Sequence, residues 1–361
     1  MSKSRQFTPL GEAAAPFFVG VDLGGTSIKV GVVDDRGRPL SWTSIETAAE
    51  RGADDAVKRM AEAVKAAIGQ AGLKPSDIRR VGLGSPGTMD IPAGKLIEPP
   101  NLPGWNQYPI RDRLSQQCGL PVSFANDAGA AAYGEFWVGC GREMPSMVLL
   151  TLGTGIGGGI IVNDISIDGE HSHGAECGHI IIDYHDDARF CPCGQPGHLE
   201  AYASALSVIK RTQEALDAGR TSSLKKRIAA GEELTPLLLA DEAEAGDALS
   251  LEIILETARY LGVGVVTLMH AIDPCGVVLG GAMTFGQNET KLGRRFIERV
   301  REEVRKRAFP VLAERTTIDY ATLGGDAGFI GAAGVARLED RKRSSGQGAT
   351  LATDETRIKH G

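Results

Sequence analysis

The chain has 361 residues, 42% hydrophobic and 24% charged, with a formal net charge of −7. That is enough for two domains or a two-lobed unit with a sizeable core. The acidic balance argues against a nucleic-acid binder, which shows a basic stripe, and no apolar run reaches the roughly 18 residues of a membrane helix. The N-terminus has no apolar core of signal-peptide length, so a cytoplasmic location without membrane partner is expected. Thiols stay reduced there, and the six cysteines are expected free or metal-bound. Cys118, Cys140, Cys177 and Cys275 stand singly and read as small core residues.

Residues 1–15 read as a flexible arm. FFVGVDL then predicts a buried strand, GGT a turn and SIKVGVVD a second strand, with Asp34, Asp35 and Gly37 turning the chain into a third, PLSWTSIET. DDAVKRMAEAVKAAIGQ has helical apolar spacing, with Asp54 as its cap. RRVGLGSPG reads as strand and turn, PVSFAND as a strand, and AGAAAYGEFWVG as a small-residue helix. SMVLLTLGTGIGGGIIV repeats the plan of the first hairpin: apolar strand, Gly/Thr turn, apolar strand. A helix is predicted from Leu199 to about Gly219 and another from about Leu249 to Ile272. CGVVLGGAM is a buried strand ending in a glycine turn. NETKLGRRFIERVREEVRKRA is an amphipathic helix, and LGGDAGFIGAAGVARL a turn feeding the last helix. Residues 338–361 are polar and aperiodic and read as a disordered tail.

Three glycine turns invite a chemical reading: Asp22, Gly24, Gly25 and Thr26 with Lys29 beyond; Gly153 to Gly159 with Thr154 and Gly155; and Gly280–Gly281. Each is a tight hairpin or a place where backbone N–H groups approach phosphate oxygens. Two such hairpins could clamp a triphosphate, with Asp22 holding Mg²⁺ through water. Gly153 to Gly158 also fits G-x-G-x-x-G, but a strand follows it where the dinucleotide fingerprint needs a helix. That weakens a dehydrogenase reading. Asn126-Asp127 sits where a strand ends and a helix begins. Asp127 either orients an attacking hydroxyl or caps the helix, and Asn126 offers a donor and an acceptor to a sugar hydroxyl pair.

The order DLGGT-xx-K, SPG, PNLPGW, ND, LGTGIGGG, ECGH, CPCG-xx-GHLE, VLGG, LGGDAG resembles the ROK family of sugar kinases and related repressors, over residues 17 to 337. The glucokinases of that family are the most similar. The resemblance implies an α/β, actin-like ATPase (ribonuclease H-like) fold: two lobes with mixed sheets and an interlobe cleft. The implied divisions are a small lobe at 16–127, a large lobe with a zinc loop at 128–326, and a C-terminal helix at 327–337. It makes Asp127 the catalytic base and puts the sugar on Gly87, Asn101, Asn126, Glu176, His179 and Glu200. ATP falls on the glycine hairpins and Gly281. The expected activity is ATP-dependent phosphorylation of glucose at its 6-hydroxyl, with Mg²⁺ carried by ATP and a homodimer as the assembly. Fructose, mannose, allose or an N-acetylhexosamine is the rival substrate. A repressor is disfavoured, because only about 16 residues precede the first strand.

The family motif C-x-C-G-x-x-G-C-x-E carries three thiols that, with a preceding His, bind structural zinc. Here position 198 is His. The implied ligand set is therefore His179, Cys191, Cys193 and His198, an N₂S₂ site that zinc accepts. Asp183, His185, Asp186 and Asp187 are rival ligands in the expanded linker, and His171 and His173 read as solvated.

Overall fold

The computed structural model describes residues 5–99 and 102–345. They form two compact units, the first running up to Val138 and resuming at Asp326, the second spanning Gly139–Gly325. In the first, β1 (Phe17–Leu23), β2 (Ser27–Val33) and β3 (Pro39–Glu46) are followed by β4 (Ile78–Ser85), a two-stranded ribbon of β5 (Thr88–Asp90) and β6 (Lys95–Glu98), and β7 (Val122–Asn126). The main sheet has the order β3-β2-β1-β4-β7. Its first three strands are antiparallel, while β1, β4 and β7 run parallel.

The strands read as near-continuous apolar runs because helices cover both faces. Val19 and Val21 point into a core shared with the Ala53–Gln70 and Ile110–Cys118 helices. The alternate residues of β1 face the Ala327–Ser344 helix. There Gly31, Gly20 and Gly82 lie side by side across β2, β1 and β4. A Cβ on Gly20 would sit 1.7 Å from the Phe329 carbonyl oxygen, and one on Gly82 1.8 Å from that of Ala332. The row has no side chains so that the helix backbone can lie directly on the sheet.

Several expectations change. The Ala53–Gln70 helix is preceded by Gly52 without a side-chain cap. Asp54 lies inside the first turn and accepts from the Tyr108 hydroxyl at 2.5 Å. From Arg5 on, the arm is fastened: the Thr8 N–H donates to Pro39 at 2.8 Å, Asp35 to Ala14 at 2.8 Å, and Ala14 to the Asp34 carboxylate at 3.0 Å. The tail expected from 338 instead continues the last helix to Ser344, held by Arg337 and Arg341 on Asp35 and by Arg79 on Asp340. These ion pairs give polar residues without apolar periodicity a reason to stay helical. Residues 346–361 lie outside the described residues. The first unit also extends through the Asp127–Trp137 helix, past the expected division at 127, and takes back the last helix from Asp326, within a residue of the expected division at 326.

The second unit repeats the sheet. Strands β8 (Ser146–Leu152), β9 (Ile156–Val162) and β10 (Ile165–Ser166) are antiparallel, while β8, β11 (Gly276–Gly281) and β12 (Thr317–Tyr320) are parallel, in the order β10-β9-β8-β11-β12. Asp247 caps the Ala248–Ile272 helix through the Ser250 N–H. That helix packs against Lys291–Arg307. The single helix expected from Leu199 is broken: Glu200–Ala203 ends at Ser204, whose hydroxyl accepts from the Ser207 N–H and starts Ala205–Asp217. Cys118 and Cys177 are buried as expected, but Cys140 and Cys275 are half-buried. Among the described residues no helix is long and apolar enough to cross a membrane.

Candidate active site and metal cluster

In the first unit the candidate residues gather at the carboxyl ends of the parallel strands. Asp22, next to last in β1, lies opposite Gly84 of β4, and Ser85 lies opposite Asn126 of β7. The hairpin between β1 and β2 closes through the Gly24 N–H on the Ser27 carbonyl at 2.9 Å, leaving Gly25 and Thr26 exposed at its tip. Thr47 braces it by donating from Oγ1 to the Gly24 carbonyl at 2.6 Å. Lys29, opposite Asp22 in register, lies 3.4 Å from its Oδ2. Burial raises the Asp22 carboxyl and Lys29 opposes that shift. Gly87 follows β4 with φ 90°. Asn101 lies outside the described residues, although the neighbouring Trp105 is fully buried and donates to the Ala49 carbonyl at 3.2 Å.

The strand-to-helix junction gives the N-cap position to the residue before Asp127. Asn126 is the N-cap: its Oδ1 accepts from the N–H groups of Ala128 at 2.9 Å and Gly129 at 3.2 Å. Asp127 is the first helical residue and accepts from the Ala128 N–H at 2.8 Å. Capping thus falls to the neighbour, whose amide N–H₂ remains the group able to face a ligand.

In the second unit Gly281 lies opposite Leu152 in register, beside the β8–β9 hairpin. Its φ of +89° and the Leu152 carbonyl, 2.3 Å from where a Cβ would be, require glycine. The hairpin closes through the Gly153 N–H on the Gly155 carbonyl at 3.0 Å and leaves Thr154 exposed. Glu200 is pressed against it. Its Oε2 accepts from the Ile156 N–H at 2.8 Å, and a Cβ on Gly155 would fall 2.4 Å from that oxygen. The other oxygen accepts from Cys191 Sγ at 3.5 Å. Glu176 is exposed at the start of the short Cys177–His179 turn that carries His179.

Four side chains converge beyond Glu200. The ligand atoms of His179, Cys191, Cys193 and His198 all lie within 4.8 Å of one another. His179 Nδ1 is 3.2 Å from His198 Nδ1, Cys193 Sγ is 3.2 Å from His198 Nδ1, and Cys191 Sγ is 3.7 Å from His179 Nδ1. A tetrahedral zinc with two imidazoles and two thiolates has N–N edges of about 3.3 Å and N–S edges of about 3.6 Å. The donor set therefore fits zinc. Without a cation, burial pushes the Cys191 thiol up to about 12, so a thiolate there calls for a metal. Both histidines turn Nδ1 inward, which leaves Nε2 of His179 on the opposite side of its ring. The rival ligands are engaged elsewhere or exposed. Asp183 accepts from the Tyr202 hydroxyl at 2.6 Å and pairs with His185 at 2.7 Å, and hydrogen bonds from Tyr202 and then His185 hold it at about 2. Asp186 and Asp187 are exposed, as are His171 and His173.

Sequence reasoning missed Tyr202. Its hydroxyl donates to Asp183 and accepts from the Arg189 N–H at 2.8 Å. It thereby ties the expanded linker to the four-residue helix that carries Glu200. The only available signal was its place two residues after Glu200. Gly328, which abuts Asp22, gave none.

Residues 18–339 match the ROK family profile. The chain belongs to the ROK family. It is 32% identical over 330 residues to a glucokinase from Halalkalibacterium halodurans, a match covering 91% of this chain and 98% of that one. A ROK hexokinase from Thermus thermophilus aligns with a TM-score of 0.76 at 32% identity, covering 90% of this chain and 99% of that one. A ROK family glucokinase from Streptomyces griseus, solved with glucose and AMPPNP, aligns with a TM-score of 0.71 at 31% identity, covering 89% and 99%. The fold is the α/β actin-like ATPase fold that the motif order implied. The echo between the two glycine hairpins is its duplicated sheet.

Proposed function

We propose that this ROK protein is an ATP-dependent hexose kinase that transfers the γ-phosphoryl group to the 6-hydroxyl of glucose. The observation that supports the reading is at the end of β7: Asn126 supplies the N-cap, so the cap does not account for Asp127, to which we assign another task. That task is to take the proton of the attacking hydroxyl, as general bases at such strand ends do. The named relatives, a hexokinase and glucokinases, support the same substrate class.

In the first unit Asp22 would hold Mg²⁺ through water, and the N–H groups of Gly24 and Gly25 with the hydroxyl of Thr26 and the ammonium of Lys29 would meet phosphate oxygens. In the second, Thr154 and Gly155 would do the same and Gly281 would face the adenosine. Gly87, Asn101, Asn126, Glu176, His179 and Glu200 would take the sugar hydroxyls. A site built from carboxylates and amides rejects analogues that leave them unpaired. In-line phosphoryl transfer has a loose transition state, so positioning and charge neutralisation do most of the work.

Zinc held by His179, Cys191, Cys193 and His198 would supply rigidity and no chemistry, because four protein ligands leave no open position. With Nδ1 of His179 turned to the metal, its Nε2–H can donate to a sugar hydroxyl. The same reading carries a cytoplasmic homodimer without nucleic-acid or membrane partners, which light scattering of the purified protein checks for the assembly. A coupled assay with ATP across glucose, fructose, mannose, allose and N-acetylhexosamines tests the function. Glucose should give the highest kcat/KM. A preference of tenfold or more for another hexose would overturn the sugar, and turnover of none would overturn the kinase.

A further inference from the structure

The N-terminal arm reaches the start of the last helix. Arg5 donates from Nε to the two carboxylate oxygens of Asp326 at 2.9 and 3.1 Å, and from Nη2 to Oδ1 at 2.7 Å. The carbon of its guanidinium lies 3.6 Å from the centre of the Trp42 ring. Asp326 immediately precedes the Ala327–Ser344 helix. Two residues on, Gly328 abuts the carboxylate of Asp22: a Cβ there would lie 2.4 Å from Asp22 Cγ. On the other side, Trp42 of β3 is the register partner of Gly31, against which the Phe329 ring lies. A path of contacts therefore runs from β3 through Arg5 and Asp326 to Gly328 and Asp22.

An ordinary surface ion pair contributes little. This one is a guanidinium fork on a carboxylate, stacked on an indole, which is the favourable case for geometry and energy. What it fixes matters because Asp22 is half-buried and rests on a residue with no side chain of its own. The helix start is the surface that sets where that carboxylate sits, and its N–H groups favour negative charge.

We infer that Arg5 is a positioning residue for Asp22: by pinning Asp326 to Trp42 it fixes the first turn of the last helix, and so the place where Asp22 meets the magnesium nucleotide. The inference rests on the reading of Asp22 as a residue of the nucleotide side.

The test compares wild type, Arg5→Ala, Arg5→Lys, Asp326→Asn and the Arg5→Ala/Asp326→Asn double variant, by steady-state kinetics and by calorimetric binding of Mg-AMPPNP. Arg5→Ala and Asp326→Asn should each raise KM for MgATP and Kd for Mg-AMPPNP about three- to tenfold, as small displacements of a positioned group do. KM for glucose should stay within about twofold. The double variant should be no worse than either single one, since both break one contact. Arg5→Lys, which keeps the charge and loses the fork, should fall between. Unchanged nucleotide terms with a lowered Tm would reduce Arg5 to a structural brace, and equal shifts in both KM values would likewise overturn the inference. Wild type that neither binds Mg-AMPPNP nor phosphorylates a hexose would instead sink the kinase reading itself, a result separable from the variants.

Discussion

In the first unit the hairpin between β1 and β2 closes on the Ser27 carbonyl and has an ion pair, Asp22 with Lys29, across its base. In the second, the hairpin between β8 and β9 closes on itself and is gripped from outside by Glu200, whose far oxygen takes the Cys191 thiol. The strand order around the two is the same. A duplicated scaffold supplies the same turn twice, and the segments inserted next to it decide what each turn is coupled to. The first turn is coupled to its own strands. The second is coupled through Glu200 and Tyr202 to the loop that carries the Cys/His cluster.

The largest effect expected lies at the edge of the first sheet. Asp127→Ala should lower kcat by about 10² or more while leaving glucose binding largely intact, the scale on which a general base contributes. Asn126→Ala, in contrast, removes a cap and should cost about 1 kcal/mol of stability on top of any loss of sugar affinity. Near-normal turnover of Asp127→Ala would end the assignment of the chemistry to the first unit.

The second hairpin offers a contrast within one turn. A Cβ on Gly155 would lie 2.4 Å from Glu200 Oε2, whereas one on Gly153 would meet nothing within 4 Å. Gly155→Ala should displace Glu200 and raise KM for glucose by about tenfold. Gly153→Ala should behave within about twofold of wild type. Equal behaviour of the two would mean that Glu200 does not depend on the turn, and the proposed coupling would fail.

Metal content sharpens the comparison further. The purified protein should hold about one zinc per chain, and His198→Ala should lose most of it, while His198→Cys should retain it. Full zinc in His198→Ala would remove His198 from the ligand set. The partner groups of the first unit should be indifferent, so Asp22→Asn should leave zinc content unchanged.

Much of this was legible in the residues because it depends on local pattern. The strands and glycine hairpins follow from apolar runs broken at turn residues, whereas the four-residue ligand set comes from the resemblance of the CPCG-xx-GHLE stretch to the family's zinc motif. What escaped depends on distant partners. The Ala53–Gln70 helix starts without Asp54 as its cap because Tyr108, far along the chain, claims that carboxylate. The polar helix beyond residue 337 reads as a tail until Asp35 is seen to pair with Arg337 and Arg341. The arm looks loose until Arg5 meets Trp42 and Asp326. The break at Ser204 needs one hydroxyl to turn back on Ser207, which periodicity does not register.

The turns that follow the two hairpins differ in the same sense, and they give the smallest expected effect. After β9 the chain reverses through Asn163 and Asp164, both exposed, with φ of 50° and 65°, a two-residue turn that needs no outside help. After β2 it reverses through a longer loop braced by the buried Asp34, which accepts from the N–H groups of Ala14, Arg36 and Arg38 and from the Arg38 guanidinium. Burial alone would raise the Asp34 carboxyl, but the Ala14 and Arg38 N–H groups and the Arg38 side chain outweigh it and hold it below its ordinary range. A carboxyl depressed in the folded state adds stability that is fully present above its unfolded value, about 3.9, and is lost as pH falls through the lower folded value. Asp34→Asn should therefore cost about 1–3 kcal/mol near neutral pH, and the difference from wild type should shrink as the pH is taken below about 4. Asp164→Asn should leave Tm close to wild type at every pH. Thermal unfolding of both variants from pH 7 down to pH 3 decides it: a loss that stays constant with pH would show that the Asp34 brace works through shape alone and not through its charge.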